Sequence, residues 1–281
     1  MNNSCKNRQH SELVEKLVAG ISNLTSSEEW RSYLDFQSRF YRYSYRNTLL
    51  IAAQRRNATQ VAGYRAWHKL NRYVLKGEEA IWILAPVVYK KAACRDGDNV
   101  EERESLTSIY AFKWVPVFDI SQTGGDAPPS VCNRIDGNGV EGYYDLLIGL
   151  AGSIGFEVVE HEFGGSVNGD CCHAKHRIRI ETNNSPAQRV KTLAHELAHA
   201  LLHEACDNRS IAELEAESTA YIVCQTLGID SGNYSFGYCA GWAGGGEQAI
   251  AVIKASCEHI QRTAATILGV FDTLISGEQA A

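Results

Sequence analysis

The segment Ser185-Pro186-Ala187-Gln188, followed by His195-Glu196-Leu197-Ala198-His199, constrains this chain more than any other. A serine N-cap, proline at the first helical position and glutamine at the third mark a helix start, with Gln188 placed for a capping box. The helix is expected to run to about residue 205. Residues four apart on a helix differ by about 40° in direction, so His195 and His199 can grip one ion. Glu196, about 100° round from His195, is placed to act as general base without binding the ion. Zinc held by two histidines and a third ligand keeps an open position, acidifies water and polarises carbonyls. A zinc-dependent hydrolase with one Zn2+, most simply a peptidase, is therefore expected.

A third ligand must come from elsewhere. His203 shares the helix face, but an ion gripped at 195 and 199 lies beside one turn and leaves the next behind. A Gly three and a His six residues after the second His would make a longer motif; here those positions are Leu202 and Ala205. The next helix, expected over 211–227, carries Glu213, Glu215 and Glu217. Glu213 and Glu217 share one face. Glu213 is the expected ligand, and Glu217 the acceptor for the second ring N–H of a ligand histidine. Glu215 points elsewhere and reads as a solvated side chain. Tyr221, Tyr234 and Tyr238 are candidates to donate to a developing oxyanion.

The 281 residues, 44% apolar and 21% charged, fit a folded chain of one large or two ordinary domains. No apolar run is long enough to cross a bilayer, so no membrane partner is expected. Nine cysteines, an odd number without a Cys-x-x-Cys pair, read as reduced thiols in a cytoplasmic protein. Cys171-Cys172-His173-x-x-His176 is a weaker alternative metal cluster.

The net charge of −6 conceals a division. Residues 1–125 carry 18 Lys and Arg against 13 Asp and Glu, a balance of +5; residues 126–281 carry 9 against 20, a balance of −11. Gly124-Gly125-Asp126-Ala127-Pro128-Pro129-Ser130 is the clearest linker. Two domains, 1–125 and 126–281, are expected, in an α+β fold. In the first, helices are expected at 11–24, 27–40, 46–56 and 64–70. A strand at 80–90, interrupted by Pro86, and a returning strand at 107–120 should flank a hairpin loop at 95–104. In the second, helices are expected at 141–153 and 246–275, and strands at 155–161 and 176–182.

Residues 39–76 interleave cations with rings, the mixture that binds single-stranded nucleic acid: cations track phosphates and rings stack on bases. Tyr45, Arg46, Arg55, Arg65, Trp67, Lys69, Arg72 and Lys76 are the candidates for that role.

Two resemblances extend this reading. Thr192 to His203 (TLAHELAHALLH), followed by E-x-E-A-E-S-x-A from Glu213, resembles the ImmA/IrrE-like metallopeptidases over roughly residues 141–227. That resemblance implies a Glu at position 213 completing the zinc site. It also implies a zincin-like fold with strand 176–182 beside the cleft, where an extended peptide could add. Over residues 30–123, Tyr45-Arg46-Asn47-Thr48-Leu49-Leu50-Ile51, Val61-Ala62-Gly63-Tyr64-Arg65-Ala66-Trp67, Arg72-Tyr73-Val74-Leu75-Lys76-Gly77-Glu78 and Val117 to Thr123 look like the N-terminal domain of ArdC-type antirestriction proteins. Tyr234-Ser235 and Tyr238-x-x-x-Trp242 also match that family. Its members join such a domain to a metallopeptidase-like one. The resemblance implies binding of single-stranded DNA, protection of incoming mobile-element DNA and a protein or peptide substrate. Asn71 stands where the family usually has Gly; Asn is the next most tolerant residue of positive φ, so the turn should survive. Two further classes stay open: a strand-protecting protein with a structural metal that cleaves nothing, and a peptidase that cleaves a repressor.

Overall fold

The computed structural model describes residues 3–24, 27–90, 107–127, 139–205, 208–229 and 246–277. The expected loop at 95–104, the Pro128–Ser130 part of the linker, and Tyr234, Tyr238 and Trp242 lie outside these residues.

The chain divides into two compact units, residues 50–126 and residues 1–49 with 127–281. The second break falls at the expected linker. The first falls near residue 50, because the helices ahead of it pack with residues 127–281. Helices α1 (Asn3–Asn23) and α2 (Ser27–Arg39) supply Ile21, Leu24, Trp30, Tyr33 and Leu34 to the same buried cluster as the C-terminal half. Trp30 is fully buried and its Nε1–H donates to Ser218 Oγ at 3.0 Å. An indole that size gives too much apolar area to leave in water.

In residues 50–126, β3 (Ile81–Lys90) and β4 (Thr107–Asp119) form a long antiparallel hairpin, to which the short β1 (Val61–Ala62) adds beyond β4. Pro86 does not interrupt β3. It pairs with Phe112, and the register shifts only at Val87/Val88; β3 is an edge strand of the order β1-β4-β3, where a missing N–H is tolerated. After α4 (Tyr64–Lys69), Asn71 adopts φ 55°, the left-handed conformation expected of it, and turns the chain into β2 (Arg72–Val74). β2 pairs with β5 (Thr123–Gly125). Buried Asp119 ends β4 opposite Val61, its carboxylate accepting from the N–H groups of Thr59, Gln60 and Ser121.

In the other unit, α3 (Tyr45–Gln54) begins within it, and α5 (Gly139–Ser153) leads to β6 (Glu157–His161). The sheet order is β6-β8-β7, with β8 (Arg177–Glu181) parallel to β6 and antiparallel to β7 (Gly169–Cys172). Ile178 and Ile180 of β8 are wholly buried, as their alternation with charged residues predicts. They meet the apolar face of α6 (Pro186–Leu202), where Val190, Leu193, Ala194 and Leu197 are also wholly buried. Ser185 caps α6 by accepting from Gln188 N–H at 3.3 Å, but the Gln188 side chain turns forward to Thr192 rather than back to the cap. Helices α7 (Arg209–Thr226) and α8 (Gly246–Gly277) close the core. No helix among the described residues is long and apolar enough to cross a membrane.

Candidate metal centre

Helices α6 and α7 bring three donors together. His195 Nε2 and His199 Nε2 stand 3.1 Å apart, and Glu213 Oε2 lies 3.5 Å from the first and 3.7 Å from the second. Donors about 2.0–2.2 Å from a tetrahedral ion stand roughly 3.3–3.5 Å from one another. The triangle has that size. The residues fit a divalent ion. Among the described residues this is the one group of three or more such side chains arranged to hold a metal. The Cys171–His176 cluster does not form a second one: His173 Nε2 meets the carbonyl of His199 at 3.1 Å.

The candidate donors are held from behind. Glu217 Oε2 lies 3.2 Å from His195 Nδ1, and Lys191 Nζ lies 3.4 Å from Glu217 Oε1. His199 Nδ1 meets His203 Nδ1 at 2.9 Å, and His203 Nε2 meets Glu215 Oε2 at 3.1 Å. Glu215, expected to be solvated, is only 3% exposed. Ser256 Oγ donates to it at 2.6 Å, and His259 Nδ1 lies 3.2 Å away, both from α8. Its place was missed because helix spacing shows that Glu215 turns away from Glu213 and Glu217, but not that another helix covers it.

Burial disfavours charge on His195, yet Glu213 and Glu217 outweigh it and hold its pKa at about 9. Burial, with His195 nearby, lowers His199 to about 4. The hydrogen bond to His195, against the cost of burial, lowers Glu213 to about 2. Glu196, 6% exposed, is raised to about 7 by burial, with Asp170 and Glu213 adding and His195 opposing. Two cavities of about 320 and 480 Å³ flank the donors, and His195 and Glu196 line both. Cys171 lines the larger; burial, helped by Glu196, pushes it to about 12, so it is a thiol rather than a nucleophile.

The edge strand of the cleft is β7, not the expected strand 176–182. β8 is central and paired on both sides, which leaves it no edge to offer. β7 was missed because Gly169-Asp170-Cys171-Cys172 lacks apolar alternation. At Gly169 a Cβ would stand 2.6 Å from Thr192 Cγ2 and 2.9 Å from Arg179 O, so β7 approaches α6 as closely as only glycine allows. Tyr221, an expected oxyanion donor, is buried with its hydroxyl on Asp35.

The residues expected to meet DNA separate into two groups. Trp67 is 2% exposed, with Nε1–H donating to Phe118 O at 2.9 Å, and Tyr45 is buried. Arg72 is 8% exposed; its guanidinium donates to Thr123 Oγ1 and to the carbonyls of Thr123, Gly125 and Asp126. These three hold the fold, since mixed rings and cations do not reveal which face inward. Arg55 is half-buried beside Ser121 and Asp119. Arg65, Lys69 and Lys76 are exposed, as are the rings of Tyr64 and Tyr73 in the same unit. Arg46, exposed, belongs to the other unit.

Two family models match this chain. Residues 6–118 match the family described as the N-terminal domain of anti-restriction factor ArdC, and residues 151–224 match the IrrE N-terminal-like domain, a peptidase family. An uncharacterized protein of Bacillus anthracis, pXO2-81, is 27% identical over 94% of this chain. The chain spans about half the length of that relative, 51%. The metal-free crystal structure of the antirestriction ArdC protein from plasmid R388 is 19% identical, with a TM-score of 0.48 over 82% of this chain and 86% of that one. The Mn(II)-bound structure gives 0.46, again at 19%, over 83% and 84%. The chain thus joins an ArdC N-terminal domain to an IrrE-like metallopeptidase-family domain, the arrangement of the ArdC-type antirestriction family.

Proposed function

We propose that this chain is a zinc-dependent peptidase of the antirestriction type that also binds single-stranded DNA. It would act in the cytoplasm to protect incoming mobile-element DNA, and the protein it cuts would be a host protein bound to that DNA. The observation that carries the catalytic part is the donor triangle of His195, His199 and Glu213 with Glu196 buried beside it.

A zinc ion held there would supply a Lewis acid that polarises the scissile carbonyl and acidifies water. The protein's own residues do the rest. Glu196, buried beside the donors and lining the same cavity, is placed to take a proton from water and return it to the leaving amine. The edge of β7 away from β8, which pairs with no other strand among the described residues, offers backbone pairing to an extended peptide alongside these residues. For the DNA part, Arg65, Lys69 and Lys76 supply cations and Tyr64 and Tyr73 supply exposed rings.

The test measures metal content, single-strand binding and new protein termini in host extract, for the wild type and Glu196→Gln. The expected result is one zinc and equal DNA binding in both proteins, with new termini from the wild type alone. Cleavage that persists in Glu196→Gln would overturn the mechanism. Strand protection by both proteins with no new termini would make the centre non-catalytic.

A further inference from the structure

His203 and Glu215 lie outside the donor triangle, yet they are joined to it by a continuous line of close contacts. From His199 Nδ1 it is 2.9 Å to His203 Nδ1, and from His203 Nε2 it is 3.1 Å to Glu215 Oε2. The line ends on Ser256 Oγ and His259 Nδ1 of α8, both on Glu215 Oε1. The side chains of His203 and Glu215 are 6% and 4% exposed, so water competes little at the step between them.

The chemistry fixes the polarity of this line. His199 Nε2 faces His195 and Glu213, and to ligate an ion it must present a lone pair. A neutral imidazole then carries its proton on Nδ1. Two ring nitrogens at 2.9 Å need one proton between them, so His203 Nδ1 accepts and its own proton sits on Nε2. A carboxylate is the acceptor that Nε2–H requires, and Glu215 is there. Each step permits one arrangement only. Both nitrogens of His203 are thereby used, which removes it as a third ligand.

We propose that His203 and Glu215 are positioning residues for the metal centre: together they hold His199 in the tautomer and ring orientation that direct Nε2 at the ion. The proposal rests on the metal-centre reading above. It gives the two ligand histidines separate anchors. His195 leans on Glu217 directly, whereas His199 leans on a carboxylate through a second imidazole. Hydrogen-bonded partners of this kind typically set metal affinity within roughly 10–100-fold.

The experiment uses the full chain. Zn(II) affinity is measured by chelator competition, and the visible spectrum of the Co(II) form is recorded, for the wild type, His203→Leu, His203→Asn and Glu215→Gln. In His203→Asn the amide oxygen stands where Nδ1 stood and still accepts from His199. The expected result is a loss of roughly 10–100-fold in His203→Leu, partial recovery in His203→Asn, which restores the acceptor for His199 but not the contact to Glu215, and an intermediate loss with shifted Co(II) bands in Glu215→Gln. Should His203→Leu fail to fold, ¹⁵N NMR of the zinc-loaded wild type decides: Nδ1 of His199 should be protonated and Nδ1 of His203 bare. A bare Nδ1 on His199, a His203→Leu affinity equal to wild type, or His203→Asn as weak as His203→Leu would overturn the proposal alone. A wild type that binds neither ion would overturn the metal-centre reading and the proposal with it.

Discussion

Glu217 Oε2 lies 3.2 Å from Nδ1 of His195, on the far side of the ring from His199 and Glu213. This contact makes a carboxylate outside the donor triangle part of its rigidity. Replacing Glu217 by Ala should weaken Zn(II) binding roughly 10–100-fold, with a smaller loss for Gln, which keeps an acceptor oxygen. Lys191→Met should weaken it less than Glu217→Ala, because Lys191 touches the acceptor and not the ligand. Chelator competition on the three variants checks the order; a Glu217→Ala protein that binds as wild type would show that His195 needs no anchor.

The approach of β7 to α6 at Gly169 makes a second prediction. Gly169→Ala places a methyl group 2.6 Å from Thr192 Cγ2, so strand or helix must yield. The expected cost is about 1–3 kcal/mol of stability, read as a lower denaturation midpoint. Adding Thr192→Ser should recover part of it and not all, since Arg179 O still lies 2.9 Å from the new Cβ.

The Asp119 carboxyl is held below its ordinary range. Burial alone would raise it, but the hydrogen bonds from the Ser121 hydroxyl and from the Thr59, Ser121 and Gln60 N–H groups outweigh that. A carboxyl whose pKa is lower folded than unfolded stabilises the fold above the unfolded value and ceases to as pH falls through the folded value. Protection of the Thr59 and Gln60 amides from hydrogen exchange should therefore be retained at neutral pH and lost at strongly acid pH. Asp119→Asn should reduce that protection at neutral pH by about 1–3 kcal/mol of opening free energy, and flatten its dependence on acid. Equal protection in both proteins at neutral pH would show that the carboxylate does not hold this turn.

For the proposed DNA surface, the burial pattern divides variants by the assay in which they fail. Lys69→Ala with Lys76→Ala should weaken single-strand binding and reduce the slope of log affinity against log salt by roughly 1.4. Tyr64→Ala or Tyr73→Ala should cost about 1–3 kcal/mol of binding at a nearly unchanged slope. Arg72→Ala and Trp67→Ala should lower stability instead, because both side chains are committed to carbonyls of their own unit. A salt slope untouched by the two lysine changes would place the strand elsewhere.

Much of the centre could be read from local spacing. Cap, proline and the four-residue interval between His195 and His199 are properties of one helix, and so is the shared face of Glu213 and Glu217. Asn71 is legible for the same reason: its tolerance of positive φ is intrinsic to the residue. What escaped depends on contact between distant segments. Glu215 needs α8 over it, Trp30 needs Ser218 opposite, and β7 owes its place to pairing with β8 rather than to its own composition. Tyr45, Trp67 and Arg72 show the same limit from the other side. Their chemistry suits a nucleic acid, but the direction each side chain takes is decided by the body it packs into.

Because Trp30 and Tyr33 belong to the core that α7 completes, residues 50–126 are inserted into the sequence of the other unit rather than placed ahead of it. Cutting at the glycine- and proline-rich segment would not release an intact peptidase-like body. It would strip α2 from the helix that carries Glu213, leaving apolar surface open behind the donor triangle. Residues 1–49 therefore share one core with the helices that carry the donor triangle, and the middle of the chain packs within its own unit.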